Sequence, residues 1–243
     1  MIGSSDQTIA DRNTVHVWSV ALDEAELDLP ELLSDDEISR LGRIHHSRAR
    51  LVFLRSRVAL RLILASYLDC PGTDIIFTYN ENGKPALSSD KSHSLTFNLS
   101  HSGNHCLLAV AKESDLGVDI EQLHSGRDYA ALAQRFFTPA EHDLLENSQD
   151  EGLFYRMWVL KEASVKVRGI KLLSGLDRFQ CSVSEQGVLN VADKLGEIQP
   201  GNWSVRQWQP DDQSIAAIVV RCADVDFVDK NTDQILSRLE QQS

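Results

Sequence analysis

The chain is short of cysteine, methionine, proline and bases, and each shortage excludes something. Its 243 residues hold four cysteines, two methionines and six prolines. Cys70, Cys106, Cys181 and Cys222 lie far apart with no C-x-x-C pair, in a chain too long to need stapling, so they read as reduced thiols of a cytoplasmic protein. No stretch approaches the roughly 18 to 20 apolar residues of a spanning helix, and Met1 to Asn13 is polar with no apolar signal core. Neither membrane insertion nor export is expected. The apolar run from Val58 to Leu68 is interrupted by Arg61 and reads as a half-buried helix. Lysine and arginine number 24 against 36 acids, a net charge of −12, so the surface as a whole would not coat nucleic acid or an anionic membrane. With 42% hydrophobic and 25% charged residues, the chain folds and can bury one sizeable core or two modest ones.

What charge there is lies unevenly. Asp23 to Glu37 carries eight carboxylates and no base, whereas Arg40 to Arg61 carries seven arginines and no acid. A basic stretch from Arg156 to Lys171 is followed by an acidic C-terminal region from Asp211 to Glu240. Thr14 to Leu22 is β-branched and reads as a strand. Ser34 before Asp35-Asp36-Glu37 is a helix start with a capping box. Leu51, Leu54, Val58, Leu62 and Ala65 recur at helical spacing, with Arg50, Arg57 and Arg61 on another face, which predicts a long amphipathic helix ending near Cys70-Pro71-Gly72. Strands follow at Ile75 to Tyr79, Leu95 to Leu99 and His105 to Ala111, with a tight turn at Asn82-Gly83.

From Leu116 the same order begins again. A strand to Glu121 leads to helices at about Arg127 to Arg135, Thr138 to Asn147 and Gly152 to Val167, then to strands near Phe179, Val188, Trp203 and Ile215. No residue-by-residue repeat accompanies this repeat of architecture. The fold class is α+β, in two similar α+β halves, residues 1–114 and 115–243, with a ligand cleft expected between them.

Four short segments could carry chemistry. In Gly117-Val118-Asp119-Ile120-Glu121 the two carboxylates alternate on one side of a strand, while Val118 and Ile120 face a core. Such a pair suits Mg²⁺, which takes oxygen ligands and shares itself with phosphates; it equally suits a solvated strand end. On the helix containing Trp158, Glu162 and Lys166 are one turn apart, either as an exposed ion pair or as a metal ligand beside a phosphate-neutralising ammonium. Asn98, Ser100 and His101 stand where a strand enters a turn, as anion-receiving groups or ordinary turn residues. Asn82-Gly83-Lys84-Pro85 is by itself an ordinary turn, and Arg40 with Arg43 is either a phosphate clamp or a solvated helix face.

Taken in order, Gly83-Lys84-Pro85, Phe97 to Ser102, Gly117 to Glu121, Arg135-Phe136-Phe137 and Phe154 to Lys166 closely resemble the 4′-phosphopantetheinyl transferases. Length and motif order resemble the Sfp-type branch, a single chain built as a pseudo-dimer whose halves are related by a pseudo-two-fold axis. The resemblance runs from about Ser34 to Val183. It implies coenzyme A as co-substrate in the cleft, with Asp119, Glu121 and Glu162 as Mg²⁺ ligands and Lys166 beside the pyrophosphate. It also implies Ser100 and His101 near the nucleotide phosphates, the stretch from Tyr79 to Lys84 on the adenine side, and Arg40 at the 3′-phosphate. Gly83, Pro85 and Asn98 fall within the same matched motifs, and Arg43, one turn beyond Arg40, joins it as a candidate.

The activity so implied is transfer of phosphopantetheine to a serine of an apo acyl or peptidyl carrier protein, with 3′,5′-ADP released. Glu162, or a water in its place, takes the serine proton. A Mg²⁺-dependent pyrophosphatase and a non-catalytic coenzyme A or carrier-binding module are the alternatives. The implied partners are a carrier protein and coenzyme A, with neither nucleic acid nor membrane. The implied state is a cytoplasmic monomer, and Phe136, Phe137 and the segment before Phe154 are expected near the carrier.

Overall fold

The computed structural model describes residue 9 and residues 11–88, 94–124, 129–148, 150, 152–171, 175–185, 188–196 and 201–232. Most of the polar start up to Thr8, Arg127, and the acidic tail from Asp233 to Glu240 lie outside the described residues. Among the described residues no helix is long and apolar enough to cross a membrane.

The first half runs β1 (Thr14–Ala21), α1 (Asp35–Arg43), α2 (Ser47–Leu68), a hairpin of β2 (Phe77–Tyr79) and β3 (Pro85–Leu87), then β4 (Leu95–Ser102) and β5 (His105–Lys112). The second runs β6 (Leu116–Gln122), α3 (Tyr129–Phe136), α4 (Pro139–Glu146), α5 (Leu153–Arg168), a hairpin of β7 (Phe179–Val183) and β8 (Leu189–Asp193), then β9 (Ser204–Asp211) and β10 (Ser214–Val220). Their sheets share one order, β1-β5-β4 in the first and β6-β10-β9 in the second. The pseudo-two-fold relation is therefore visible strand by strand.

Period-two alternation decides which core each strand serves. Leu108 and Val110 of β5 join Trp18 and Val20 against α2, and Ala217 and Val219 of β10 pack on α5. The opposite faces, Val15, Val17, Leu107, Ala109, Val118, Ile120, Ala216 and Ile218 among them, form a third apolar layer between the two sheets. Central strands buried on both sides read as continuous apolar runs for this reason.

A strand and a buried arginine are among the departures from the sequence expectation. Strand β11 (Asp226–Asn231) pairs in parallel with β1 and so returns the chain to the sheet of the first half. It is a charged edge strand, which blunts further pairing but also hides the strand signal. The second departure is in α2, where Leu51 is exposed while Arg61 is fully buried. That helix packs against the sheet on one side and against short 3₁₀ turns on the other, so its buried arc is wider than the apolar stripe. Arg61 donates to Glu37 Oε2 at 2.7 Å and to the carbonyls of Gly72 and Ile75 at 2.9 and 3.0 Å.

The two halves also share one structural device. Ser34 caps α1 in a capping box with Glu37, whose buried carboxylate pairs with Arg61 of α2. Thr138 caps α4 in a capping box with Glu141, whose buried carboxylate pairs with Lys161 of α5 at 2.8 Å. Each half thus anchors its long helix to the start of the preceding one with a buried ion pair, and Lys161 stands immediately before Glu162. The two pairs lie at different separations and use different cations, so alignment of the halves by sequence passes over them.

Candidate active site

Strand β6 directs Leu116, Val118 and Ile120 into the layer between the sheets, which leaves Gly117, Asp119 and Glu121 on the side of α5. Gly117 lets the helix approach: a Cβ there would lie 2.1 Å from the Ala163 carbonyl oxygen and 2.7 Å from the Val167 nitrogen. The close approach brings Glu162 and Lys166 over the carboxylates. Asp119, Glu121 and Glu162 each offer an oxygen within 4.8 Å of the others. Lys166 Nζ donates to Asp119 Oδ1 at 2.6 Å and to the Val118 carbonyl at 3.2 Å.

Strand β4 of the first half supplies a polar face at period two. The Asn98 side-chain oxygen Oδ1 accepts from the Val118 amide at 2.9 Å. Ser100 Oγ donates to Asp119 Oδ1 at 2.8 Å and accepts from Lys166 at 3.0 Å. Ser102 Oγ accepts from the Gln122 amide at 3.0 Å and donates to Glu121 Oε2 at 3.4 Å. Side chains of β4 therefore dock the edge of β6 in place of a backbone ladder, and they place two hydroxyls of the first half, those of Ser100 and Ser102, on the carboxylates of the second.

The electrostatics of this cluster are unbalanced. Burial, then the neighbouring Asp119, pushes the Glu162 carboxyl up to about 9, with Lys166 opposing the rise. Burial works against the charge of Lys166, but Asp119 and Glu162 more than offset it and hold the ammonium above its ordinary pKa. Asp119 Oδ2 is buried with no hydrogen-bond donor. Three carboxylates, one ammonium and an orphaned carboxylate oxygen call for further positive charge, and an all-oxygen donor set suits a hard divalent cation.

Residues 17–113 match the family model described as "4'-phosphopantetheinyl transferase, N-terminal", and residues 115–219 match that of the "4'-phosphopantetheinyl transferase superfamily". The 4′-phosphopantetheinyl transferase HetI of Nostoc is 36% identical over 215 residues, covering 85% of this chain and 87% of that protein. The chain belongs to this superfamily. The Bacillus subtilis 4′-phosphopantetheinyl transferase ffp is 31% identical over 175 residues, covering 70% of this chain and 75% of its own. The human L-aminoadipate-semialdehyde dehydrogenase-phosphopantetheinyl transferase is 27% identical over 211 residues, covering 79% of this chain and 68% of its own.

Of the residues singled out by sequence, the fold of this transferase gathers Asn98, Ser100, Asp119, Glu121, Glu162 and Lys166 into one cluster. His101 points to the other face of β4 and lines a cavity of about 560 Å³ with His46, Arg48, Phe53, Gln122 and His124. Burial, then Lys166, holds its imidazole pKa below the ordinary value. Arg40 lies over the ring of Phe53, which Arg57 covers as well. Arg43 turns back to Ser39 of its own helix at 3.2 Å, and Tyr79 stands exposed on β2.

Lys84 departs from its expected place. Its ammonium donates to the carbonyls of Lys166, Leu116 and Val167 at 2.6, 3.1 and 3.4 Å, and burial pulls its pKa down to about 8. Gly83, with φ +83°, and Pro85 shape the hairpin that delivers it. Phe136 and Phe137, expected near the carrier, are buried against Phe154 and Trp158. Sequence reading missed Arg48 and Arg57, which are lost in a run of arginines, and Ser102, which the alternation Asn98, Ser100, Ser102 signals.

Proposed function

We propose that Asp119, Glu121 and Glu162 hold Mg²⁺ and that, with Lys166, they act on the pyrophosphate of coenzyme A bound between residues 1–114 and 115–243. The carrying observation is the trio of carboxylates within 4.8 Å with one buried oxygen left unpaired. The ion, when bound, neutralises charge on the pyrophosphate.

The reaction moves phosphopantetheine from coenzyme A to a serine of an apo acyl or peptidyl carrier protein. The serine oxygen forms a bond to the β-phosphorus, the bond from that phosphorus to the bridging oxygen breaks, and 3′,5′-ADP leaves. Phosphoryl transfer of this kind depends on positioning and charge neutralisation, so no enzyme nucleophile is required. Lys166 supplies a fixed ammonium at the pyrophosphate, held by Asp119 and Ser100. Glu162 takes the serine proton, directly or through water. His101 and Arg48, with Arg40 and Arg57 at Phe53, receive the nucleotide phosphates; Tyr79, Gly83 and Pro85 border the adenine side.

Both halves contribute to this one cleft, which supports a monomer as the working form, and buried Cys106 and Cys181 go with a cytoplasmic setting. The test is mass spectrometry of an apo-carrier protein incubated with coenzyme A, Mg²⁺ and the chain. A gain of one phosphopantetheine is expected. Release of ADP with no gain of mass would mean a pyrophosphatase, and binding with neither would mean a docking module.

A further inference from the structure

The hairpin between β2 and β3 ends on the C-terminus of α5, although it belongs to the other half. Asn80 organises the turn, its side-chain oxygen accepting from the amides of Asn82 at 3.0 Å and Lys84 at 2.8 Å. Its amide nitrogen, and that of Asn82, both donate to the Gly169 carbonyl at 2.9 Å. Gly169 closes α5 in the left-handed region at φ +59°, and a Cβ there would lie 2.8 Å from Asn80 Nδ2 and 3.3 Å from Lys84 Cδ. The last carbonyls of a helix lack partners within it and carry its negative end, which favours a cation there.

We propose that Lys84 is a positioning residue for the transfer: its ammonium caps α5 and clamps it to the start of β6, so that the nucleotide-side hairpin sets the alignment of Lys166 on Asp119. The geometry is direct. Lys84 holds the backbone carbonyl of Lys166, whose own ammonium sits 2.6 Å from Asp119. It also holds the carbonyl of Leu116, three residues before Asp119 on β6. One group thus ties both elements of the site to the half that reads the nucleotide. A ligand-contacting lysine would instead leave its ammonium facing the cleft. The inference rests on the transferase reading above and assigns this residue a role within it.

The experiment uses the full chain, with transfer to an apo-carrier followed by mass and with coenzyme A binding followed by calorimetry at low and high salt. Lys84→Met is expected to lower kcat about ten- to a hundred-fold, the scale on which small misplacements of reacting groups act. Its Kd for coenzyme A, and the salt dependence of that Kd, stay within about twofold of wild type. Asn80→Ala, which removes one donor from Gly169, lowers kcat in the same direction by less, and Lys84→Arg recovers part of the loss. Val20→Ala, in the core of the first half, serves as the control that loses stability without losing kcat.

A raised Kd with a flattened salt dependence and unchanged kcat would make Lys84 a phosphate ligand and overturn the proposal. So would a kcat loss no greater than that of Val20→Ala at equal stability. If the wild-type chain itself adds no phosphopantetheine, the transferase reading fails instead.

Discussion

Lys166 Nζ lies 2.6 Å from Asp119 Oδ1 and 3.9 Å from the Glu162 carboxylate one turn back on its own helix. One ammonium therefore serves two buried acids, and the cluster remains short of positive charge. Activity and stability should separate here. Glu162→Gln is expected to reduce transfer by more than about a hundred-fold, the scale on which preorganised charge contributes to catalysis. In metal-free buffer the same variant melts no lower than wild type, because burial and Asp119 disfavour the ionised form of the acid it replaces. Thermal melts with and without Mg²⁺ test this: the ion should raise the wild-type midpoint and leave that of Glu162→Gln nearly unchanged. A variant that melts well below wild type without metal would contradict it.

Lys166→Met removes the ammonium paired with Asp119 and leaves the buried carboxylate with the Ser100 hydroxyl and the Glu162 acid beside it. Breaking a buried pair in this way costs about 3 kcal/mol. Addition of Mg²⁺ should restore part of that stability, since the ion supplies the lost charge, but it should not restore transfer. Urea unfolding in both buffers, with the carrier assay alongside, measures both effects.

Gly117→Ala tests the contact between α5 and β6. The added methyl meets backbone on the helix at 2.1 and 2.7 Å, and backbone cannot swing aside as a side chain does. A loss of about 3 kcal/mol or more is expected, with transfer lost in step as α5 moves off the carboxylates. Gly42, around which nothing lies within 4 Å, is the natural comparison. Gly42→Ala should leave stability unchanged or slightly raised, because alanine is the better helix former.

His16 gives the first half an acid limit. Its imidazole is buried, accepts from or donates to the Tyr67 hydroxyl at 2.7 Å, and is lowered to about 4 by burial and then by Lys230. An unfolded chain takes up the proton near pH 6.5, the ordinary value for histidine, whereas the native one refuses it until about pH 4. Stability is thus full above pH 6.5 and falls as pH drops towards 4, by up to about 3 kcal/mol from this group. His16→Gln should flatten that part of the profile in denaturant titrations across the range.

Arg48 separates the cavity from the helix face that spacing alone suggests. Arg48 lines the cavity with His101, whereas Arg43 folds back on Ser39. Arg48→Ala should weaken coenzyme A about tenfold and reduce the salt dependence of binding. Arg43→Ala should change neither by more than about twofold, and calorimetry at two salt concentrations compares them.

The sequence by itself determined most of the elements and the residue types that carry the chemistry. Alternation placed Asp119 and Glu121 on one side of β6, and Glu162 with Lys166 came one turn apart on a helix, because both facts depend only on local backbone geometry. The serine at Ser34 and the threonine at Thr138 marked helix starts for the same reason. Only the tertiary structure decided what those residues touch. That Arg61 is buried, that Lys84 caps the other half's helix, that Phe136 and Phe137 are core, and that β11 crosses back to β1 all depend on contacts between segments far apart in the chain. Local pattern carries no record of such contacts. Net charge behaves likewise: a total of −12 describes the whole surface, while packing puts Arg48 in the wall of the cavity beside His101, and Arg40 and Arg57 on the ring of Phe53 in that wall.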